Sequence, residues 1–201
     1  VFYKPGKVTP AGDLPHGFLA TTRAANSDFD RVPYAFGFRT ADARLDFVLI
    51  SVHLRPDSGL LNKQRRKHEL ATIASWVAAH DQQEKDFIIL GDMNIESRTE
   101  MTNATPAGFV SLNKDCKPTN TNIKSRKPYD HVMYQPSRTG SEMDANHGFR
   151  VKDLVAAMRP HWISSGKYPG DPYNHNKFRK YYSDHHPVDF KLKPAPSGDD
   201  D

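Results

Sequence analysis

The chain has 201 residues, 37% of them hydrophobic, and Lys and Arg outnumber Asp and Glu by 28 to 24, giving a pI near 9.1. That length fits one domain with a core, the 15 Pro and 12 Gly mark many loops, and no apolar run nears the roughly 20 residues of a membrane-spanning helix, so no membrane partner is expected. The lone Cys116 excludes an internal disulfide, and the modest basic excess suits a polyanionic partner as well as it suits an ordinary solvated surface.

In chain order, Val1 to Val8 reads as a strand ending in a Pro-Gly turn, and Thr9 to Asp30 as a loop. Tyr34 to Arg39 and Leu45 to Leu54 read as a hairpin turned over Ala41 to Arg44. Asn62 to His80 has helical spacing, with Leu70, Ile73, Ala74, Val77 and Ala78 on the inward face and Arg65, Arg66 and Lys67 on the other. Phe87 to Leu90 is a short buried strand. Arg98 to Lys127 is polar, with a strand near Phe109-Val110, and Tyr129 to Tyr134 is another strand. Phe149 to Met158 reads as a short strand and a helical turn, and Pro160 to Lys180 as a long loop. Pro187 to Leu192 alternates and closes the sheet. The domain is expected to span residues 1–193, with a disordered acidic tail over 194–201.

Four short polar motifs sit at the ends of apolar runs: Val52-His53-Leu54-Arg55-Pro56, Gly91-Asp92-Met93-Asn94, Tyr129-Asp130-His131 and Ser183-Asp184-His185-His186-Pro187. Carboxylates can hold a hard cation, imidazoles move protons, and an amide can orient a phosphate oxygen. Asp and Asn also make ordinary turns, and any one of ten histidines is weak evidence by itself.

Taken together and in this order, the motifs resemble those of the endonuclease/exonuclease/phosphatase superfamily, closest to the pancreatic-type deoxyribonucleases and their bacterial relatives. The resemblance runs from about Val1 to Leu192. It implies an α/β fold, part of a four-layer α/β/β/α sandwich with mostly antiparallel sheets. It also implies divalent-metal-dependent phosphodiester hydrolysis, with DNA as the favoured substrate cut internally. Asp92 would activate or orient the attacking water, and Asn94 would face the scissile phosphate. Asp130 would orient His185, and His53 would be a second catalytic imidazole. Asp92, Asn94 and Asp184 would hold the metal, expected to be magnesium, with manganese or calcium as alternatives. Arg31 matches an arginine that contacts DNA phosphate, and Thr119 and Asn122 fall in a threonine-rich loop facing phosphate.

Lys177 and Arg179 belong to a run that interleaves cations and aromatics, which could track a nucleic-acid strand or simply pack a loop. His131, His161, His175 and His186 read as structural or at most substrate-facing. On the resemblance, an early Asn and two Glu of the family's site would precede Val1, so the chain corresponds to a domain without its first strands. Weak magnesium binding, poor cleavage and association through an open sheet edge are then expected. The rival readings are a phosphatase or phospholipase of the same superfamily, and a catalytically impaired nucleic-acid-binding fragment.

Overall fold

The computed structural model describes residues 2–165 and 173–194. In chain order the elements are β1 (Val8–Pro10), β2 (Gly17–Phe18), β3 (Tyr34–Thr40), β4 (Asp46–His53), α1 (Leu60–His80), β5 (Phe87–Asp92), α2 (Arg98–Ala104), β6 (Val110–Ser111), β7 (Asp130–Tyr134), β8 (Arg150–Val151), α3 (Leu154–Ser165), α4 (His175–Tyr181) and β9 (Val188–Asp189). A seven-stranded sheet runs β1-β3-β4-β5-β7-β6, with β2 also on β3. Every pairing in it is antiparallel except β4 with β5, which α1 connects as a crossover. Strands β8 and β9 form a separate antiparallel pair.

Alternation along the strands gives the large sheet two apolar faces. Val48, Ile50 and Val52 of β4, Ile89 of β5 and Met133 of β7 bury against Leu70, Ile73 and Val77 of α1. Leu49, Ile88, Leu90, Val132 and Tyr134 point the other way, onto Val151, Val188, Phe190 and Leu192. Helices thus cover one face and the small sheet covers the other, an α/β architecture with mostly antiparallel pairing. Phe178 of α4 is fully buried against Leu154, Val155 and Met158 of α3. Among the described residues no helix is long and apolar enough to cross a membrane.

Several expectations need correction. The first strand is only Val8–Pro10, because Lys4 to Lys7 closes a turn through a Lys7 N–H to Lys4 carbonyl bond of 2.8 Å; Val1 lies outside the described residues. The segment Thr9 to Asp30 contains β2, paired with Tyr34 and Ala35. The polar stretch from Arg98 hides a helix whose start is capped by Ser97, the Oγ accepting from Glu100 N at 3.2 Å. Pro160 to Lys180 is not one loop, since α3 continues through Pro160 and α4 begins at His175; residues 166–172 are outside the described set. Strand β9 joins β8 rather than closing the large sheet. Of the expected tail over residues 194–201, residues 195–201 also lie outside the described set.

Arg66 is the largest departure. It shares a stripe with Leu70, Ile73 and Val77 and is fully buried. Its guanidinium donates through Nη1 to the carbonyls of Arg55 (2.9 Å) and Asp57 (2.8 Å) and through Nε to Glu100 at 2.7 Å. Glu69 beside it is equally buried and accepts the N–H groups of Asp30 and Arg55, each at 2.9 Å. Helix α1 therefore fastens the loop after β4 with charge as well as with apolar packing.

Candidate active site

Strand register assembles the site. His53 ends β4 opposite Asp92 at the end of β5, and Asp92 lies opposite Asp130 at the start of β7. Gly91 makes the close approach just before Asp92 possible: its φ is +138°, and a Cβ there would fall 2.2 Å from the carbonyl oxygen of Val52. Asp92 Oδ1 then accepts from Asn94 N at 2.9 Å, holding Asn94 in a turn at φ +51°.

His185 comes from a loop stitched to another loop. Thr121 N donates to the Asp184 carbonyl at 2.8 Å, His186 N donates to the Thr119 carbonyl at 2.6 Å, and Asn120 bridges His185. Thr119 Oγ1 accepts from Asp130 N at 2.9 Å. One short ladder thus sets both members of the Asp130–His185 pair, whose Oδ2 and Nδ1 are 2.7 Å apart. The far edge of that ring, Nε2, is 3.5 Å from Asp92 Oδ2, and Nε2 of His53 is also 3.5 Å from that oxygen. Both gaps exceed an ordinary hydrogen bond, so neither ring locks Asp92.

The charges follow from these contacts. The Asp130 carboxylate bonded to His185 raises the imidazole pKa to about 9, with burial opposing and Asp92 assisting. Asp92 is raised above the usual carboxylate range mainly by burial, against the pull of His185. Tyr129 is raised by burial and then by the negative charges of Glu96 and Asp92.

A cleft of about 780 Å³ is lined by His53, Asp92, Asn94, Asp130, Asp184 and His185, together with Arg179 of α4. Asp57, Ser58, Glu96 and Tyr129 also line it. Tyr129 opens the Tyr129-Asp130-His131 motif, whereas Asp57, Ser58 and Glu96 lie outside the four motifs, Glu96 only two residues beyond Asn94. Asp92, Asp130 and His185 are the one group of three such side chains, among the described residues, whose ligand atoms lie within 4.8 Å of one another. Asp184 is exposed on the cleft wall and lies outside that group.

The other candidates are dispersed. Arg31 is exposed and reaches the carbonyls of His53 and Leu54 at 3.4 Å, at the end of β4. Thr119 is fully buried with its hydroxyl on Asp130 N, so it shapes the site from beneath rather than facing substrate. Asn122 is half-buried and caps its own turn through Lys124 N. Lys177 is exposed on α4. His131 points into the core with Nδ1 on Ser111 Oγ at 2.8 Å, and burial lowers its pKa to about 4. His186 Nδ1 accepts from Leu154 N at 2.9 Å at the start of α3.

No protein-family model matches the chain, and none of the curated proteins is a sequence match. Solved structures do resemble it. A functionally unknown conserved protein from Enterococcus faecalis has a TM-score of 0.57 at 15% identity, over 96% of this chain and 69% of its own. An endonuclease/exonuclease/phosphatase family protein from Bacteroides thetaiotaomicron has a TM-score of 0.56 at 18% identity, over 94% of this chain and 65% of its own. A Neisseria 3′ phosphatase, NExo, bound to a product DNA hairpin, has a TM-score of 0.52 at 14% identity, over 92% of this chain and 72% of its own. The chain thus spans about two thirds of the length of these structures, and it has the fold that the endonuclease/exonuclease/phosphatase family protein of Bacteroides displays.

Proposed function

We propose that this cleft hydrolyses phosphodiesters with the aid of a divalent cation, and that its substrate is DNA, cut internally. The observation that carries this reading is the row Asp130–His185–Asp92–His53. A phosphate between the two imidazoles meets a carboxylate able to order a water and two ring nitrogens able to supply protons. His185, held by Asp130, carries its proton at neutral pH and presents the Nε2 edge to a phosphoryl or leaving oxygen. His53 lines the same cleft with 53% of its side chain exposed. Asn94 donates one amide hydrogen to the Leu54 carbonyl at 3.1 Å, leaving its oxygen and its second hydrogen for the cleft.

The donor set suits a hard cation. Asp92, Asp130 and the amide oxygen of Asn94 are oxygen donors, whereas a protonated His185 donates hydrogen bonds and does not ligate. Magnesium, manganese or calcium bound there would neutralise charge on the phosphate. Arg179 in the cleft and the cations of α4 beside it favour a polyanionic substrate. So does the sequence likeness to the deoxyribonuclease branch. The strand edges of β8 and β9, which pair only with each other among the described residues, are where self-association would occur.

A phosphatase is the rival, since one fold-mate is a 3′ phosphatase. The test is to incubate the protein with supercoiled plasmid and magnesium, with and without EDTA, beside a 3′-phosphorylated oligonucleotide. EDTA-sensitive nicking supports the nuclease. Phosphate release without nicking supports the rival.

A further inference from the structure

Two leucines stand in water beside the cleft. Leu60 is 70% exposed and Leu61 is 79% exposed, in the first turn of α1. Single exposed leucines are ordinary. This pair is adjacent, and the loop that presents it is braced. Asn62 Nδ2 donates to the Ser58 carbonyl at 2.8 Å, Arg55 Nε donates to Asn62 Oδ1 at 2.9 Å, and Arg66 holds the carbonyls of Arg55 and Asp57. Asp57 and Ser58 line the cleft. Two residues of extended chain span at most about 7 Å, so Leu60 begins within that reach of the cleft wall.

The surroundings are cationic. Lys63 and Lys67 follow Leu60 along the same helix and line a shallow pocket with it. Lys63 also leans to 3.9 Å from Glu96, a cleft residue, which ties this helical face to the cleft edge.

We propose that Leu60 and Leu61 form an apolar wedge that packs against unstacked bases of a nucleic-acid strand whose phosphate occupies the cleft, with Lys63 and Lys67 facing its neighbouring phosphates. The proposal rests on the phosphodiester reading and adds the recognition element. Base faces are apolar and are flanked by anions, and apolar side chains that insert between bases are a general means of holding distorted strands. A lipid surface fits less well. One helical turn offers little area to bury, and stable membrane attachment takes more than one such signal.

The test compares the full chain with its Leu60→Ser, Leu61→Ser double variant, whose altered side chains are exposed and outside the core. Three readouts are taken: turnover of bis(p-nitrophenyl) phosphate, cleavage of a single-stranded oligonucleotide, and binding of that oligonucleotide in EDTA by fluorescence anisotropy. Flotation with phosphatidylserine vesicles is run alongside. The expected result is an oligonucleotide KM and Kd raised about tenfold, as loss of part of the apolar burial of a leucine side chain would give, with small-diester turnover unchanged. Unchanged oligonucleotide binding overturns the wedge, as does loss of vesicle binding in its place. If neither substrate is cleaved by the parent chain, the hydrolase reading fails, and the anisotropy result still decides the wedge.

Discussion

The carboxylate of Asp130 lies 2.7 Å from Nδ1 of His185, although 55 residues separate them. The contact joins the first residue of β7 to a loop that follows α4, and the Thr119–Thr121 ladder holds both ends. It turns a half-buried histidine into a stable cation at neutral pH.

The hydrogen bond to the Asp130 carboxylate is the main cause of the raised pKa, and the charge of Asp130 adds to it, so removing that carboxylate has a direction. His185 keeps its proton below about pH 9 and loses it above. A reaction that needs the protonated ring should decline as pH rises through that value. Asp130→Asn should move this alkaline limb down toward the ordinary histidine range near 6.5. The check is a rate profile of both proteins from pH 6 to pH 10 with the small diester. An alkaline limb that stays in place would remove His185 from proton transfer.

Direct removal of the ring should be severe. His185→Ala is expected to lower kcat about 10²–10⁴-fold, the usual worth of a positioned acid or base, while oligonucleotide binding in EDTA changes little. Single-turnover rates and anisotropy separate the two effects.

Asp92 and Asp184 should differ. Asp92 faces both imidazoles and belongs to the Asp92–Asp130–His185 group, whereas Asp184 stands exposed outside it. Asp92→Asn is expected to abolish magnesium-dependent cleavage and to weaken manganese binding measured by calorimetry. Asp184→Asn should retain most of both. Equal losses would place Asp184 in the ligand set beside Asp92.

The Arg66–Glu100 pair should govern stability. Both side chains are buried, and the guanidinium also satisfies two loop carbonyls. Glu100→Gln leaves a buried cation without its anion, and losses of this kind run to about 3–5 kcal/mol. Arg66→Met with Glu100→Gln removes both charges and should cost less than the sum of the single changes. Urea unfolding of the three variants measures the coupling.

His131 predicts an acid sensitivity. Its folded pKa of about 4 lies below the unfolded value near 6.5, so the unfolded chain takes up the proton first. Its contribution is complete above pH 6.5 and is lost as pH falls from there toward 4, by roughly 3 kcal/mol in all. Denaturant midpoints of the parent and of His131→Asn at pH 7 and pH 5 should show the parent losing more on acidification.

The strands that carry the site are legible because β4 and β5 are short apolar runs that end in His53 and Asp92, and β7 is one that begins with Asp130. The row His53, Asp92 and Asp130 needs only strand ends and register, and period-two alternation encodes both. Helix α1 is legible by period, yet the charge of Arg66 points to solvent where its spacing points to the core. Its separation from Leu70, Ile73 and Val77 put it on the buried stripe all along. Helix α2 is short, but Ser97 and Glu100 form the start signal of a capped helix that a polar composition masked. Helix α4 has one buried anchor, Phe178, among exposed cations. One apolar position cannot display a period, so the segment read as a loop. Thr119 was misplaced for a related reason: a hydroxyl that serves a neighbouring backbone N–H looks, in sequence, like one that serves a ligand.

Pairing in a sheet counts residues in twos. A single residue gained or lost inside β4, β5 or β7 would swing His53, Asp92 or Asp130 to the helix-covered side and dismantle the row. Residues added just past the strand ends would leave that row standing. Inheritance can therefore rework the rims of this molecule long before it can alter the row of carboxylates and imidazoles at its centre.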